Sequence, residues 1–586
     1  MRTFAEPRVV AEQRPDGALL LRSAEPLGDH PAHLALSLRH WASAAPDAVL
    51  ATDGTGSLTY GRAARDADAI GQALLDLGAS RERPVMVLSG NSLAHLRITL
   101  ACYTAGVPVV PVSAAYSLLS KDHGRLRAMA ELVRPGVVFA DDADAFGPAL
   151  EATRAHAVTD LEPLAAAVPG ASLAAAFDAI TPDTVAKVLF TSGSTGTPKG
   201  VLNTHRMLTA NQAMLRATWP FLVDEPPVLV DWLPWSHTFG GNHNVHLVLT
   251  NGGTFHVDTG RPAPALFERS ITALTATRPT VYLNVPAGYA VLVPRLEADP
   301  AFARHFFSRL RLLFCAAAAM PTALWDRIRR LVDRHADHPI PLTAAWGATE
   351  TAPAATSAHW ADAPCGSIGV PLPGVTVKLV PVGGKREIRV AGPNVTPGYF
   401  DAPDRTAAAF DEDGFYRTGD AAALADPADP GRGLVFDGRI AEDFKLTTGS
   451  WVSTGALRTA LVSAAGVLSD AVIAGHDRAE VTALAWLNPI EARVLCGKDH
   501  DVALDDQFLR DHLADVLASL GDGLGSASRI TRLLLLADPP DLDAGEITDK
   551  GYVNQLAVLG RRAGAVERLY ADPPDPDVIT AAGSAR

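Results

Sequence analysis

The sequence predicts an α/β fold with a large N-terminal domain of parallel-sheet α/β subdomains and a small α+β C-terminal domain. Short apolar, β-branched runs alternate with helical patterns along most of the chain, which is typical of α/β domains. The length of 586 residues is too great for one hydrophobic core. A passage rich in Pro, Gly and Asp at 425–433 precedes a change of texture. We therefore predict domains at residues 1–437 and 438–586.

Apolar runs mark the predicted core strands of the large domain, at PVMVL (84–88), VPVVPV (107–112), GVVFA (136–140), VLVDWLP (228–234) and TVYLNVP (280–286). The helical patterns between them imply mainly parallel sheets, because parallel neighbours need a crossover connection. The small domain has strand patterns at DAVIAG (470–475), VTALAWL (481–487) and RITRLLLLA (529–537), and a helix pattern at DDQFLRDHLADVLASL (505–520). These patterns predict a smaller, separate core.

Charge and cysteine content exclude several classes of function. The formal net charge is −14, which disfavours nucleic acid or an anionic membrane as partner, because phosphate binding needs a basic face. The four cysteines form no CxxC pair, which argues against a disulfide framework or a zinc site. The start lacks the apolar core of a signal peptide, and the most apolar window (312–325) is too short to span a bilayer. We expect a soluble, cytoplasmic protein.

A loop of small residues, TSGSTGTPKG (191–200), lies between the strand pattern TVAKVLF (184–190) and the helix pattern NTHRMLTANQAMLRAT (203–218). One interpretation is a flexible linker, since Gly/Ser/Thr clusters often are linkers. The other is a phosphate site, in which backbone N–H groups and the N-terminus of a following helix surround an anion and Lys199 adds charge. The loop is neither a Walker A loop nor a GxGxxG fingerprint. By itself it predicts binding of nucleotide phosphates.

Three further motifs follow in order: WGATET (346–351), YRTGD (416–420) and GRIAEDFK (438–445). With the loop, they make the chain resemble the adenylate-forming superfamily of acyl-CoA synthetases, peptide-synthetase adenylation domains and beetle luciferases. The resemblance implies an AMP-binding fold whose small C-terminal domain is mobile. It implies ATP/AMP, Mg²⁺ and coenzyme A as cofactors or co-substrates, and a small-molecule carboxylic acid as substrate.

The resemblance also implies roles for individual residues. The nucleotide-binding set is Thr191, Ser192, Gly193, Ser194, Thr195, Gly196, Lys199, Trp346, Gly347, Thr349, Asp420, Arg439 and Lys445. Within it, Lys199 would pair with the β- and γ-phosphates and Thr349 would donate to the α-phosphate. Asp420 would accept hydrogen bonds from the ribose hydroxyls, a task suited to two carboxylate oxygens. Glu350 would ligate Mg²⁺, a hard cation that prefers oxygen ligands.

The predicted catalytic set is Thr349, Glu350 and His237, which the resemblance implies, together with Lys550, which is a separate hypothesis. His237, in LPWSHTFGGN (233–242), would shape the acyl pocket, although a core histidine satisfied by its neighbours is the plain alternative. The stretch CAAAAMP (315–321) falls where relatives carry a pocket wall, with alanines where glycine often stands.

A lysine near the C-terminus is a separate hypothesis. Relatives have a Gly-Lys-Ile triplet whose lysine drives adenylation, but here the matching triplet is Gly545-Glu546-Ile547. Lys550 lies four residues after Glu546, so both would share a face if the segment is helical. We expect Lys550 to be the adenylation lysine, with Glu546 near the rim of the site or pairing with it; the alternative is a surface lysine.

The variant GRIAEDFKLTTGSWVSTGALR (438–458) most resembles bacterial feruloyl-CoA synthases. This predicts an acid–CoA ligase that activates a hydroxycinnamic acid, such as ferulic or p-coumaric acid, as acyl-AMP and then forms the CoA thioester. The alternatives are a medium- or long-chain fatty acyl-CoA synthetase, an adenylating enzyme that loads a carrier protein, and an inactive nucleotide-binding relative. No carrier domain is visible in the sequence, which favours CoA. The sequence leaves monomer and homodimer open.

Overall fold

The structure, a computed structural model, describes residues 2–192, 198–548, 551 and 553–581. It divides into two compact units. The larger unit comprises 2–192, 198–418 and 423–435, and the smaller comprises 419–422 and 436–581 apart from the residues outside the described ranges. Among the described helices, none combines the length and apolar character that crossing a membrane requires.

The strands of the large unit, the last two of which also enter the small one, are β1 (Val9–Gln13), β2 (Leu19–Ser23), β3 (Val49–Thr52), β4 (Ser57–Thr59), β5 (Val85–Val87), β6 (Val109–Pro111), β7 (Val137–Phe139), β8 (His156–Val158), β9 (Val185–Ser192), β10 (Pro198–Thr204), β11 (Val228–Asp231), β12 (Thr254–Val257), β13 (Val281–Asn284), β14 (Leu312–Cys315), β15 (Leu342–Gly347), β16 (Ala354–Ser357), β17 (Ser367–Pro371), β18 (Thr376–Val382), β19 (Lys385–Ala391), β20 (Tyr416–Leu424) and β21 (Leu434–Arg439). Its α-helices are α1 (Leu34–Ala44), α2 (Tyr60–Asp76), α3 (Leu93–Ala105), α4 (Ala114–Leu118), α5 (Gly124–Val133), α6 (Ala143–Thr153), α7 (Glu162–Ala165), α8 (Ala171–Asp178), α9 (His205–Thr218), α10 (Phe221–Asp224), α11 (Val245–Thr250), α12 (Pro264–Ala276), α13 (Pro286–Ala298), α14 (Pro300–Phe307), α15 (Thr322–His335) and α16 (Pro403–Ala409).

Within the described residues, three sheets build the large unit. A six-stranded sheet has the order β10-β9-β6-β5-β7-β8 and is parallel except for the β10–β9 pair. A four-stranded sheet has the order β11-β12-β3-β4, with β4 antiparallel. Strands β5, β6 and β7 are buried at every position, which explains their unbroken apolar runs. The predicted core strands at these places are confirmed.

The third sheet has eleven strands in the order β1-β2-β18-β19-β20-β21-β17-β16-β15-β14-β13. Strands β13, β14 and β15 pair in parallel, and the antiparallel pairs include β18–β19 and β16–β17. The predicted parallel α/β character therefore describes one end of this sheet, and an antiparallel extension carries the chain to β20 and β21.

The small unit contains the short strands β22 (Phe444–Lys445) and β23 (Trp451–Val452), and the sheet β24 (Leu468–Ala474), β25 (Val481–Leu487), β26 (Ile530–Leu535) and β27 (Ile579–Thr580). Its helices are α17 (Thr454–Ala465), α18 (Pro489–Cys496), α19 (Gln507–Gly521), α20 (Gln555–Arg561) and α21 (Ala563–Leu569). Leu509, Leu513 and Leu517 recur every four residues on α19 and bury one face of it. The predicted α/β fold with a large sheet-rich domain and a smaller C-terminal one is confirmed.

The segment after the Gly-rich loop differs from expectation. A helix was expected to begin directly after the loop, but β10 comes first and α9 begins at His205. Strand β10 pairs antiparallel with β9, and its apolar residues Val201 and Leu202 extend the sheet. Thr204 then caps α9, since its side chain accepts a hydrogen bond from the Met207 N–H. The expectation that the N-terminus of this helix directly adjoins the loop is therefore wrong.

Among the buried histidines of the large unit that the structure describes, four have a pKa lowered far below the usual value: His95, His205, His243 and His246. Burial lowers the pKa of His95 and His243 to about 4 and the pKa of His205 to about 3. The pKa of His246 is also lowered far below its usual value, again chiefly by burial. These imidazoles are therefore neutral in the folded protein near pH 7.

We expect this core to be sensitive to acid. Below pH 6.5 the unfolded chain protonates these histidines while the folded protein does not, so stability falls as the pH is lowered from 7 towards 5. The free energy of unfolding should fall by up to about 1.4 kcal/mol per pH unit for each such histidine. Urea unfolding at each pH measures this, and His205→Asn should flatten the dependence. The exposed His40→Asn serves as the control. A urea midpoint that stays constant from pH 7 to 5 contradicts the expectation.

Candidate functional site

The two strands that flank the Gly-rich loop bring its ends together. Thr191 of β9 lies directly opposite Lys199 of β10. The predicted phosphate-binding residues between them lie outside the described residues, namely Gly193, Ser194, Thr195 and Gly196; the side chain of Ser192 is likewise outside them.

Lys199 and Glu350, predicted from separate motifs, meet at one tyrosine. The Lys199 Nζ lies 5.0 Å from the centroid of the Tyr399 ring. The Tyr399 hydroxyl donates to Oε1 of Glu350 at 3.2 Å and lies 3.2 Å from the Tyr416 hydroxyl. Burial, and then the Glu350 charge, raise the pKa of both tyrosines above the usual range, so that both stay protonated.

Backbone pairing with β10 fixes the position of Tyr399. The Phe400 N–H donates to the Gly200 carbonyl at 2.7 Å, and the Leu202 N–H donates to the Gly398 carbonyl at 3.1 Å. Val201 and Tyr399 form an antiparallel bridge between these two bonds. The strand that carries Lys199 therefore also holds the tyrosine that contacts Glu350.

The WGATET motif begins at the end of β15, where Trp346 is buried and Gly347 makes a close backbone approach. A Cβ at Gly347 would lie 1.8 Å from the Pro353 carbonyl oxygen, so a side chain does not fit there. Because Gly347 has no side chain, the chain can return as β16 and pair with β15 immediately after the motif.

Thr349 and Glu350 lie on a single 3₁₀ turn, Thr349–Thr351, and both are buried. The Thr396 N–H donates to the Glu350 carbonyl at 2.8 Å, and the Thr396 hydroxyl donates to the Leu202 carbonyl of β10 at 2.7 Å. The turn is thus tied to β10 through one threonine.

The surroundings of Glu350 fit Mg²⁺ held through a single protein carboxylate. Mg²⁺ usually takes one or two carboxylates and completes its shell with water and substrate phosphates. Within the part of the chain that the structure describes, no cluster of three or more His, Cys, Asp or Glu could hold a metal by itself. A nucleotide would therefore have to supply the remaining oxygen ligands.

A buried charge cluster fixes the start of β20. The Asp411 carboxylate accepts the Phe415 N–H at 2.9 Å and contacts Lys378 Nζ and Arg389 Nη1, each at 3.1 Å. Asp411 and Lys378 are almost fully buried. These contacts hold the turn that leads directly into Tyr416.

The other predicted nucleotide contacts belong to the small unit. Asp420 lies on β20, and Arg439 Nε is 3.4 Å from Asp420 Oδ1. Lys445 Nζ instead lies 4.9 Å from the centroid of the Trp451 ring across the β22–β23 pair. Asp420 and Arg439 are thus brought together, while Lys445 contacts an exposed tryptophan. Their roles towards a nucleotide stay predictions.

His237 is buried and immediately precedes a π-helical turn, Thr238–Asn244. This turn packs directly on the backbone before it. A Cβ at Gly240 would lie 2.4 Å from the Leu233 carbonyl oxygen, and one at Gly241 would lie 2.1 Å from the Trp235 carbonyl oxygen. The glycines of the LPWSHTFGGN motif are therefore required for this packing.

Aromatic rings cluster against the π-helical turn. His243 stacks on Phe314 of β14 at 5.3 Å between centroids, and Phe239 lies 5.8 Å from Phe314. Trp219 meets Phe314 edge-on at 5.6 Å. After β14 the chain enters the alanine-rich stretch, where Ala317 is exposed and has a φ of +76°.

The region of the proposed adenylation lysine is described in part. Lys550 lies outside the described residues. Glu546 is only 1% exposed and forms a two-pronged ion pair with Arg562, at 2.8 and 2.7 Å. The expectation that Glu546 lies near a rim is therefore wrong. The helical premise is also wrong for the described residues, because Ile547 forms an isolated bridge and α20 begins at Gln555.

Sequence reasoning missed Tyr399 and Tyr416. Tyr416 is the first residue of the YRTGD motif, and Tyr399 lies in the stretch GPNVTPGYF (392–400). The hydrogen bond between Tyr399 and Glu350 joins residues 49 positions apart, and Tyr416 is farther still from Glu350. Spacing along the chain therefore does not indicate that these side chains meet.

The chain is similar in sequence to enzymes that form CoA thioesters and similar in fold to a solved enzyme domain. The chain is 29% identical over 398 residues to feruloyl-CoA synthase of Amycolatopsis sp., covering 65% of this chain and 74% of that enzyme. It is 27% identical to mitochondrial malonate–CoA ligase of Mus musculus, covering 65% of this chain and 66% of that enzyme. The A domain of carboxylic acid reductase from Segniliparus rugosus, solved with AMP and a co-purified carboxylic acid, shares the fold. Its TM-score is 0.72 at 20% identity, covering 92% of this chain and 94% of that one.

The family described as AMP-binding enzyme matches residues 38–400, which is more than half of the chain. That match includes the Gly-rich loop, the π-helical turn, the Thr349–Thr351 turn and Tyr399. Together with the CoA-ligase relatives, it supports an acid–CoA ligase activity. The protein belongs to the AMP-binding enzyme family.

Proposed function

We propose that this protein is an ATP-dependent acid–CoA ligase that acts on an aromatic acid of the hydroxycinnamic type. In the first half-reaction a carboxylate oxygen attacks the α-phosphorus of ATP, forming the acyl-adenylate and releasing pyrophosphate. In the second, the CoA thiol attacks the acyl carbon, forming the thioester and releasing AMP. The observation that carries the first step is the meeting of Lys199, Tyr399 and Glu350 beside the Gly-rich loop.

The chain's own residues divide the work of adenylation. Lys199 provides positive charge next to the β- and γ-phosphates, and the Thr349 hydroxyl donates to the α-phosphate. Asp420 accepts hydrogen bonds from the ribose, while Arg439 beside it orients its carboxylate. Glu350 would hold Mg²⁺, which when bound neutralises charge on the phosphates. Lys550 would neutralise the incoming carboxylate.

The aromatic cluster at the π-helical turn supports an aromatic substrate. Phe239 and His243, on the turn that follows His237, contact Phe314 at the entry to the alanine-rich stretch. Aromatic rings pack well against one another edge-on or offset, so this aromatic cluster would suit a substrate with a planar ring. The similarity to feruloyl-CoA synthase points the same way, and the similarity to malonate–CoA ligase makes malonate the necessary comparison.

The choice of acid is tested by carboxylate-dependent exchange of labelled pyrophosphate into ATP. We expect ferulate and p-coumarate to give at least tenfold higher kcat/KM than octanoate or malonate, because one tenfold step needs about 1.4 kcal/mol of preferential binding. A tenfold preference for octanoate moves the enzyme to the fatty acid branch, and a tenfold preference for malonate moves it to the dicarboxylate branch. No exchange with any acid contradicts the proposed function as a whole.

The roles of Asp420 and Glu350 are tested by isosteric substitution. Asp420→Asn and Glu350→Gln should each lower pyrophosphate exchange by about 30- to 1,000-fold, since each removes one charge-assisted contact to nucleotide or metal. Raising Mg²⁺ should partly restore Glu350→Gln and leave Asp420→Asn unchanged. The exposed Asp426→Asn and Glu412→Gln are matched controls and should keep normal exchange. Near-normal exchange in either test variant removes its assigned role.

The role of Lys550 is tested by separating the half-reactions. Lys550→Ala should lower adenylate formation from acid and ATP by at least about 100-fold, because a positioned charge next to reacting anions is worth several kcal/mol. Thioester formation from supplied acyl-adenylate and CoA should stay within about threefold of normal. Lys498→Ala, in the same unit, is the control and should preserve both steps. If both half-reactions survive Lys550→Ala, then Lys550 is a surface lysine.

A further inference from the structure

Two buried polar residues face each other across the strands that flank the Gly-rich loop. Lys187 of β9 and Asn203 of β10 are direct cross-strand partners. Lys187 is 3% exposed and Asn203 is fully buried. Opposite residues on antiparallel strands project from the same face of the sheet, so both side chains enter the same part of the core.

Both side chains end on the π-helical turn, at two consecutive residues. Lys187 Nζ donates to the Gly241 carbonyl at 2.8 Å. Asn242 Nδ2 donates to Asn203 Oδ1 at 2.6 Å, and also to the Thr238 hydroxyl at 3.1 Å. The strands that lead into and out of the loop therefore hold the turn that follows His237.

Burying the Lys187 ammonium costs free energy, because the charge is removed from water. A lysine at this buried position therefore points to a role for its side-chain contact. Within the described residues, no carboxylate lies within ion-pair distance of its ammonium; its contacts are the Gly241 carbonyl and the face of Tyr103 at 5.9 Å. Burial lowers the pKa of Lys187 to about 7. Its charge in turn contributes, after burial, to lowering the pKa of His95 and His246. A methionine or leucine at this position would avoid the desolvation cost.

Asn203 and its strand also reach the turn that carries Thr349 and Glu350. Asn203 Nδ2 lies 3.5 Å from the Thr349 carbonyl, a long contact. The neighbouring Leu202 is joined to Glu350 more firmly, through the two hydrogen bonds of Thr396. The cross-strand pair thus lies between the turn proposed to shape the acid pocket and the turn proposed to meet the α-phosphate.

We propose that Lys187 and Asn203 are positioning residues that fix the His237 turn relative to the phosphate-binding strands, so that the bound acid meets the α-phosphate. The inference rests on the proposed adenylation activity and assigns these two residues to it. They need not touch acid or nucleotide, since they act through Gly241 and Asn242. A misplacement of about 1 Å between reacting groups costs on the order of 100-fold in rate, which is the scale that such positioning controls.

The test uses Lys187→Met and Asn203→Leu, which keep side-chain volume and remove the polar contacts. Pyrophosphate exchange is measured with the acid that gives the highest activity. Each variant should lower kcat by about 10- to 100-fold while the KM for ATP stays within about threefold. The double variant should lose less than the product of the two single losses, because both residues act on one turn.

Two further variants keep the proposal falsifiable if a strand variant fails to fold. Asn242→Ala removes the contact with Asn203 from the side of the turn and should reproduce the loss of kcat. Gln72→Leu removes a buried amide of α2 that bonds Asp76 and Ser172, and should lower thermal stability without changing kcat. The proposal is overturned if wild-type protein is active and the folded variants keep normal kcat, or if Gln72→Leu lowers kcat equally. Wild-type protein inactive with every acid instead overturns the proposed function.

Discussion

The antiparallel pairing of β9 with β10 determines where the proposed catalytic groups of the large unit lie. β9 joins the parallel part of its sheet through β6, and β10 adds the edge. Because β10 runs back along β9, Lys199 returns to a point opposite Thr191. The outer side of β10 is then free to bond the segment around Tyr399, whose hydroxyl reaches Glu350. A helix directly after the loop would remove this edge and, with it, the position of Tyr399.

Tyr399 shows how one side chain can serve two opposite charges. Its ring face carries partial negative charge and attracts the Lys199 ammonium, while its hydroxyl donates a hydrogen bond to the Glu350 carboxylate. The two charges are kept apart by the length of a phenol instead of forming an ion pair. Lys199 and Glu350 therefore remain available to ligands of opposite kind, an anion for the lysine and a cation for the carboxylate.

The sequence predicts those features that depend on local pattern. Unbroken apolar runs predict β5, β6 and β7, because a strand buried on both faces carries apolar residues at every position. Four-residue spacing predicts α19, because a helix buried on one face repeats its apolar residues at that interval. Strand β10 was missed because its short pattern follows Gly, Pro and Lys and runs into a helix. The burial of Glu546 was missed because its partner Arg562 lies sixteen residues later in the chain, directly after the last residue of α20. The buried Lys187 has no local signature, since a lysine within an apolar strand reads as exposed.

The backbone of Ala317 bears on how the substrate range of such an enzyme can evolve. New specificity usually costs stability, because enlarging a pocket removes packing or introduces strain. At φ = +76° an alanine is the strained residue and glycine the relaxed one. A single Ala317→Gly change would remove one methyl group from the proposed pocket wall and so enlarge the pocket. The same change would release the backbone strain at this residue. At this position, selection for bulkier acids would meet no opposing selection for a stable fold.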